Sequence, residues 1–201
     1  MAPIQSSETT ESIRQRILEM ARERFTHYGY GKTAMADIAK DADMSTANLY
    51  RYFGNKLDIA SACARGCIQE SLDDQRQAIA GGQLNVEQKL LKLVLTMIDH
   101  SHENISANTH INETVAMITS ERPEVVHEKL NAQQEMIMEI LAYGNATEEL
   151  NIKDITGTAK TILSSLILFD VPIFIGLYTK EEFEQRARNI VRLLMKGLRA
   201  N

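Results

Sequence analysis

Residues that interrupt a helix are scarce in this chain, and their scarcity constrains the fold more than any other feature of the sequence. Only ten glycines and three prolines occur among 201 residues. The stretches between them are rich in leucine, isoleucine, alanine, glutamate and glutamine, which are compatible with helices. No segment shows the alternation of apolar and polar residues that is typical of strands, and no internal repeat is found. The sequence therefore predicts an all-α fold.

Composition describes the interior that these helices would share. Hydrophobic residues make up 44% of the chain and charged residues 24%, which is typical of folded domains and excludes a disordered or collagen-like chain. Aromatic residues are only 5% and tryptophan is absent, so the core must be aliphatic. The most apolar stretch, residues 162–178, contains Asp170 and Pro172 and is too short and polar for a membrane span. We expect no membrane partner.

The first 80 residues are predicted to form four helices. Thr33 and Ser45 stand where N-caps are expected, and Gly29 stands where a helix ends. A three-residue turn, residues 42–44, separates the second helix from the third. The predicted helices run from Glu11 to Gly29, from 34 to 41, from Ser45 to Tyr52, and from 56 to 80.

The rest of the chain is predicted to form five further helices. Pro123 suits the first turn of one of them, Gly144 is expected to stop the same helix, and Pro172 is expected to end or kink the next. The predicted ranges are 86–103, 109–119, 124–143, 154–169 and 181–198.

The second and third helices, about residues 34–53, have the arrangement of a helix-turn-helix, whose second helix enters the major groove of DNA. Ala47 is small enough to let the backbone approach the bases, Asn48 can pair with adenine, and Arg51 can pair with guanine. The hydroxyls of Tyr50 and Tyr52 can bind phosphates. The predicted DNA-contacting residues are Thr33, Ser45, Thr46, Ala47, Asn48, Tyr50, Arg51, Tyr52 and Lys56.

Two alternatives stay open for this motif. A helix-turn-helix can serve packing alone, and each of the two tyrosines could pack against its neighbours instead of reaching a phosphate. Charge does not decide the question, because the net charge is −5. Residues 1–80 hold 10 Lys/Arg and 11 Asp/Glu (10 − 11 = −1), and residues 81–201 hold 12 and 16 (12 − 16 = −4). Binding to DNA must therefore come from the local placement of charges.

The order and spacing of residues in this region resemble the N-terminal signature of the TetR family of transcriptional regulators. The resemblance covers residues 11 to about 70, and its most specific part is residues 49–56. One position departs from the pattern, because Ala34 stands where a second hydroxyl residue is common. The matching positions are Ile17, Leu18, Ala21, Phe25, Gly29, Thr33, Asp37, Ile38, Ala39, Met44, Ser45, Leu49, Tyr50, Tyr52, Phe53 and Lys56.

The resemblance implies a domain organisation and a function. It implies a DNA-binding domain over residues 11–57, a connecting fourth helix over 56–80, and a ligand-binding and dimerisation domain over 81–201. Such proteins are homodimers, usually repress transcription from a palindromic operator in double-stranded DNA, and release it when a small ligand binds. No enzymatic activity is implied, and no nucleophile–base set, P-loop or metal motif is found.

Apolar stripes on the last two long helices predict the dimer interface. The stretches 154–172 and 181–198 would pair across a two-fold axis as a four-helix interface. The residues that carry this prediction are Ile162, Leu163, Leu166, Ile167, Phe169, Ile190, Val191, Leu193 and Leu194.

A ligand pocket is predicted within the second domain, for a small molecule that the sequence does not identify. Flexible methionines and aliphatic side chains must fill the middle of a domain that is poor in aromatic residues, and such fillings leave adaptable space. The predicted lining is Met97, His100, Ile111, Met117, Met136, Ile137, Ile140 and Phe174.

Cysteines and histidines allow further alternatives. Cys63 and Cys67 could form a redox sensor or half of a metal site, but burial as structural residues is the preferred interpretation, since no cation stands at helical spacing around Cys63. A metal site between helices of the second domain is the alternative for His100, His102, His110 and His127, yet their spacing matches no known metal motif. We therefore expect no metal and no cofactor.

The leading hypothesis is thus a ligand-responsive repressor of the bacterial cytoplasm, on the nucleoid when bound to DNA. This location fits the two cysteines and the lack of a signal-peptide pattern at the first residues. The alternative is a DNA-bound protein of the same fold that acts through protein partners in chromosome organisation or cell division. The two hypotheses differ in whether few palindromes or many genomic sites are bound.

Overall fold

The computed structural model describes residues 9–105 and 110–199, and over these residues the fold is all-α, as predicted. An isolated antiparallel bridge joins Leu150 to Arg199, and no strand occurs in the described ranges. Two 3₁₀ segments, Ile167–Phe169 and Pro172–Leu177, follow the eighth helix. The helices are α1 Thr10–Tyr28, α2 Met35–Asp41, α3 Thr46–Leu49, α4 Lys56–Ile79, α5 Val86–Ile105, α6 Ile111–Glu121, α7 Pro123–Ala146, α8 Ile155–Ser165 and α9 Lys180–Leu198.

The core of the N-terminal head is formed where α1, α2, α3 and the start of α4 meet. Ile17 and Phe25 on α1 pack with Leu49 on α3, and all three are buried. Two buried residues of the second half of the chain belong to this core: Ile118 on α6 and Val125 on α7. The head is therefore packed against the α6–α7 corner and is not joined to the rest of the chain by α4 alone.

A larger aliphatic core holds the C-terminal body together. It lies between α5, α7, α8, α9 and the second half of α4. Phe169 and Phe183 supply the aromatic rings of this core, with centroids 6.0 Å apart. The helix α5 is buried along most of one face, through Leu90, Leu93, Val94, Met97 and Ile98.

The helix α3 is shorter than predicted. Ser45 caps it as expected, since its Oγ accepts a hydrogen bond from the Asn48 N–H at 3.1 Å. The helix was expected to reach Tyr52, but it ends at Leu49. The Tyr52 N–H donates to the Leu49 carbonyl, three residues back, so the chain tightens into a turn.

The helix α8 also ends earlier than predicted, at Ser165 instead of Phe169. Asp154 caps its start by accepting from the Gly157 N–H at 2.9 Å. Its last turn tightens, because the Leu166 N–H donates to the Leu163 carbonyl. The chain then continues as the two 3₁₀ segments.

Gly144 does not stop α7, contrary to prediction, because the helix continues to Ala146. The glycine is required by packing instead. A Cβ atom at this position would lie 2.6 Å from a methyl carbon of Leu150 and 2.6 Å from one of Val86. Both neighbours are buried, so neither can move away freely.

We expect Gly144→Ala to lower the free energy of unfolding by about 1–3 kcal/mol, the usual cost of overpacking a core. The matched control is Gly66→Ala on α4, where a Cβ would meet nothing within 4 Å. An alanine in an open helix interior stabilises by about 0.5–1 kcal/mol. Urea denaturation of both variants checks the prediction, and two shifts of the same sign would contradict it.

Candidate nucleic-acid interface

The surface around α3 brings most of the predicted DNA-contacting residues together. Leu49 is buried and anchors the helix in the head core, which turns the opposite side outward. Ala47 and Arg51 are exposed, and the Tyr50 ring is 52% exposed. Ser45 is exposed as well, and Thr46, Asn48 and Tyr52 are half-buried. Their contacts with DNA stay a prediction.

Thr33 must be removed from the predicted set, because its side chain points inward. It is only 2% exposed, and its hydroxyl donates to the Gly29 carbonyl at 2.8 Å. The expectation that Thr33 caps α2 is also wrong. Ala34 is the N-cap residue, and its backbone N–H donates to the Asp37 carboxylate at 3.0 Å.

Lys56 is half-buried, and its ammonium is bound to backbone groups of the head. Its ammonium donates to the carbonyls of Tyr30 and Thr33, both at 2.7 Å, and lies 4.2 Å from the centroid of the Tyr30 ring. Burial lowers the pKa of Lys56, and the Glu113 carboxylate partly offsets this effect. The residue ties the start of α4 to the turn between α1 and α2, a structural role that the sequence did not predict, and its contact with a phosphate stays a prediction.

Internal ion pairs neutralise several acidic groups of the head. Arg24 pairs with Asp41 and lies 3.6 Å from Asp37, and its hydrogen bond lowers the pKa of Asp41. Arg122 of the α6–α7 corner pairs with Asp58 at 3.1 Å. These pairs explain how a head with a small net negative charge can still present a cationic surface locally.

Two exposed cations near the motif were missed by the sequence reasoning. Lys32 lies in the α1–α2 turn, and Lys40 lies on α2. Neither lies on the recognition helix, and the prediction of DNA contacts was based on residues of that helix that can pair with bases. Their closeness in the sequence to the predicted motif was the signal available.

The body contacts the head directly at the α1–α2 turn. Glu113 on α6 accepts a hydrogen bond from the Gly31 N–H at 2.8 Å. A Cβ atom on Gly29, which has a φ of 83°, would lie 2.8 Å from the same carboxylate and 3.1 Å from His110 Nδ1. The turn therefore needs glycine both for its backbone conformation and for the approach of α6.

The residues predicted to line a ligand pocket are not gathered around one cavity. Four of them are packed tightly in the body core: Met97, Met136, Ile137 and Ile140. Met117 packs against the head core instead. His100, Ile111 and Phe174 are half-buried. These eight residues are thus spread over the body core, the head core and half-buried positions, and their contacts with a ligand stay a prediction.

Two surface grooves of about 400 Å³ lie elsewhere. The first runs between α8 and α9 and is lined by residues that include Thr158, Thr161 and Leu194. The second lies at the junction of the head and the body, between Arg14, Tyr52 and Arg122. Neither includes a predicted ligand-binding residue.

The apolar stripe predicted for dimerisation is partly internal. Ile162, Leu166 and Phe169 are each 1% exposed and belong to the core of their own chain. The exposed members are Ile167 and Leu193, the latter 71% exposed. Helical spacing had identified the apolar residues correctly but not the surface against which they pack.

The cysteines are half-buried on α4, and no cluster of metal-ligating side chains occurs in the part of the chain that the structure describes. The Cys63 thiol donates to the Leu18 carbonyl at 3.5 Å. Burial raises the pKa of Cys63 to about 12 and also raises the pKa of Cys67. Such thiols carry little thiolate at neutral pH, which favours the structural interpretation.

We expect iodoacetamide at pH 8 to modify Cys63 in the folded protein at least about a hundredfold more slowly than in urea. The raised pKa leaves almost no thiolate at that pH, and the thiolate is the nucleophile. Peptide mass spectrometry gives the two rates. Equal rates in folded and unfolded protein would contradict the prediction.

Among the residues that the structure describes, no helix is long and apolar enough to cross a membrane.

Comparisons with known proteins agree with this architecture. The sequence profile described as "Bacterial regulatory proteins, tetR family" matches residues 17–63, and the profile "Tetracyclin repressor-like, C-terminal domain" matches residues 86–191. The chain is 24% identical to the HTH-type transcriptional regulator YvdT of Bacillus subtilis strain 168, over 98% of each chain.

Solved structures with the same fold include two bacterial regulators. A transcriptional regulator of the TetR/AcrR family from Thermobifida fusca is 26% identical, with a TM-score of 0.65 over 93% of this chain and 98% of that one. A TetR-family regulator from Mesorhizobium loti is 16% identical, with a TM-score of 0.77 over 96% of this chain and all of that one.

Proposed function

The chain belongs to the TetR family of bacterial transcriptional regulators, and from this premise we propose that it is a homodimeric repressor of a palindromic operator. The protein lies on the bacterial nucleoid when it is bound to DNA. A small ligand that binds the body causes it to release the DNA. The family consists of regulators and not of enzymes. The observation that carries the proposal is the surface around α3, where Ala47 is exposed beside Asn48 on a helix that Leu49 anchors in the core, and where the exposed Arg51 follows in the turn after the helix.

Each head would place α3 in the major groove. Asn48 would contact adenine, and Arg51 would contact guanine, because these are the bases with which each side chain forms two hydrogen bonds in the major groove. Tyr50, Tyr52 and Ser45 would bind phosphates and fix the register. Two heads related by a two-fold axis read an inverted repeat, since the symmetry of the dimer is matched by that of the operator.

The exposed surface of α8 and α9 is the proposed dimer interface. Leu193 and Ile167 are large apolar side chains that are exposed on the surface of the body. The groove between α8 and α9 provides a surface on which a second copy can pack. Ser164 and Thr161 on α8 and Gly197 on α9 are exposed small or short side chains that let helices approach closely.

We expect Leu193→Glu to convert the dimer to a folded monomer, because it buries an unpaired carboxylate in the interface but meets only solvent in the free chain. Leu166→Glu is the contrasting variant. That residue is 1% exposed within its own chain, so the substitution should unfold the body. Analytical ultracentrifugation with circular dichroism separates the outcomes. A Leu193→Glu protein that keeps the mass of a dimer would contradict the interface.

The ligand signal has two routes to the head. The helix α4 runs from Lys56 in the head to Ile79 in the body core. The helix α6 holds the α1–α2 turn through Glu113 and contributes Ile118 to the head core. A ligand that releases DNA almost completely must prefer one arrangement of these helices by about 5 kcal/mol. The more common coupling of 1–3 kcal/mol would give partial release.

Selection of duplexes from a random library tests the proposal. The protein is incubated with the library at physiological salt, and bound duplexes are amplified and sequenced. We expect enrichment of one inverted repeat, with half-sites about one helical turn apart. A pool without an enriched repeat, bound with uniform affinity, would contradict a specific repressor. The same result would favour a protein that binds many genomic sites.

A further inference from the structure

Two ion pairs join the first half of α4 to the start of α7, across the boundary between the head and the body. Arg122, directly before α7, donates to Asp58 Oδ1 at 3.1 Å. Arg65 donates to the Glu128 carboxylate through two nitrogens, at 2.9 and 3.0 Å. We define the ion-pair ladder as these four residues. It links the part of α4 that packs in the head to a helix of the body core.

The Arg122–Asp58 pair of the ladder is fixed to the backbone at both ends. Arg122 is the single residue between α6 and α7, and its N–H donates to the Ile118 carbonyl at 2.8 Å. Its side chain also donates to the Glu121 carbonyl at 3.0 Å. On the other side, the Asp58 N–H donates to the side chain of Asn55, which caps α4. The pair therefore connects two anchored elements and not two flexible loops.

The order of charges along the ladder favours one register of α7 on α4. Asp58 and Arg65 lie seven residues apart, which is two turns along the same face of α4. Arg122 and Glu128 meet them in the same order and with the opposite signs. A shift by the distance between the pairs would set Arg122 against Arg65, or Glu128 against Asp58. Because like charges repel, the ladder disfavours the shifted arrangements as well as favouring the observed one.

The apolar part of the same boundary has no such directional order. Ile118 and Val125 are buried in the head core. Burial of apolar surface is non-directional, so it tolerates a rotation that keeps the same area covered. Ion pairs that are hydrogen-bonded depend on both distance and angle. The apolar contact therefore holds the head on the body, and the ladder fixes the angle between them.

The angle at the ladder determines where α3 lies relative to the proposed dimer interface. Leu49 on α3 and Ile59 on α4 are buried in one core, so α3 follows the start of α4. Ile137 on α7 and Ile162 on α8 are buried in the other core, so α7 is held against a helix of the proposed interface. In a dimer, a change of this angle would alter the separation of the two recognition helices.

We propose that the ion-pair ladder is a specificity determinant for the spacing of the operator half-sites. It restricts each head to one angle and so selects the spacing at which both α3 helices reach the major groove. The four side chains act as positioning residues and contact no base. This inference rests on the proposed dimeric repressor and adds the spacing of the half-sites to the base contacts of α3.

A spacing series of the selected palindrome tests the ladder. Both half-sites are kept, and the spacer between them is lengthened or shortened by one base pair. Fluorescence anisotropy gives the Kd for each duplex, at low salt because salt screens exposed ion pairs. For the wild type, we expect the selected spacing to bind at least about tenfold more tightly than the others, since a mismatched spacer must be deformed.

The double variant Arg122→Gln/Glu128→Gln breaks both pairs and leaves the net charge unchanged. We expect its preference for the selected spacing to be at least about threefold weaker than that of the wild type, whereas base preferences, dimer mass and melting temperature are kept, since exposed ion pairs add little to stability. The single variant Glu128→Gln breaks only the more exposed pair and should weaken the preference by a smaller factor. The matched control is Asp73→Asn/Arg76→Gln, which breaks a pair within α4 and should keep the wild-type preference.

The outcomes separate this inference from the proposed function. A double variant that keeps the spacing preference of the wild type would overturn the inference and leave the repressor proposal intact. Equal loss of spacing and base preferences would also overturn it, because a disrupted head and not a changed angle would then be responsible. A wild type that binds every spacing equally would contradict it as well. A duplex selection without an enriched inverted repeat would overturn the proposed function, and this inference with it.

Discussion

The affinity for the selected operator is expected to fall by about two orders of magnitude between about 50 and 200 mM salt. Besides Arg51, which is assigned to a base, two exposed cations lie near the motif in each head: Lys32 and Lys40. A dimer that neutralises about four phosphates with them releases the counterions condensed on those phosphates, and the logarithm of the affinity falls by about 0.9 per phosphate for each tenfold rise in salt. Fluorescence anisotropy across a salt series measures the slope.

Charge-neutralising variants assign this slope to the head. Lys32→Gln should reduce the slope by about two for the dimer, one for each phosphate contact that is lost. The control is Lys153→Gln, an equally exposed cation before α8 in the body. If both variants change the slope by the same amount, the cationic surface of the head is not the surface that meets DNA.

Loss of the Lys56 ammonium is expected to abolish operator binding by disrupting the head. Lys56→Met keeps the length of the side chain but leaves the carbonyls of Tyr30 and Thr33 without their donor. Removal of one partner from a partly buried hydrogen bond costs about 1–3 kcal/mol, and here two such bonds are lost. The start of α4 would then separate from the turn that positions α2.

Thermal unfolding and anisotropy together check the Lys56 prediction. Lys32→Met serves as the control, since that side chain is exposed and should weaken DNA binding without lowering the melting temperature. A Lys56→Met protein that is as stable as the wild type but binds DNA weakly would show that the ammonium contacts phosphate after all.

Local sequence rules predicted much of the head. The capping role of Ser45 and the buried face that ends in Phe25 depend on residues within one or two helical turns. The role of Lys56 could not be predicted in this way. Its partners Tyr30 and Thr33 lie 26 and 23 residues earlier, and only the folded head brings their carbonyls together.

The body was less predictable, because periodicity identifies apolar residues but not the surface that covers them. Leu166 and Leu193 both look like interface residues in the sequence, yet one is internal and the other is exposed. Gln75 and Gln133 are polar and lie 58 residues apart, so the pattern of apolar residues gave no reason to expect that both are buried and in contact. The contact of Glu113 with Gly31 spans 82 residues and was equally hidden.

Comparison of three proteins on single-base variants of the selected palindrome tests whether α3 and the turn after it read the bases of an operator. For the wild type, we expect a cost of about 1–3 kcal/mol at the positions that Asn48 and Arg51 contact. Asn48→Ala and Arg51→Ala should each become indifferent to the base at one position of the half-site and keep the other preferences. If both variants retain the preference of the wild type at every position, α3 does not read the sequence and the account is wrong.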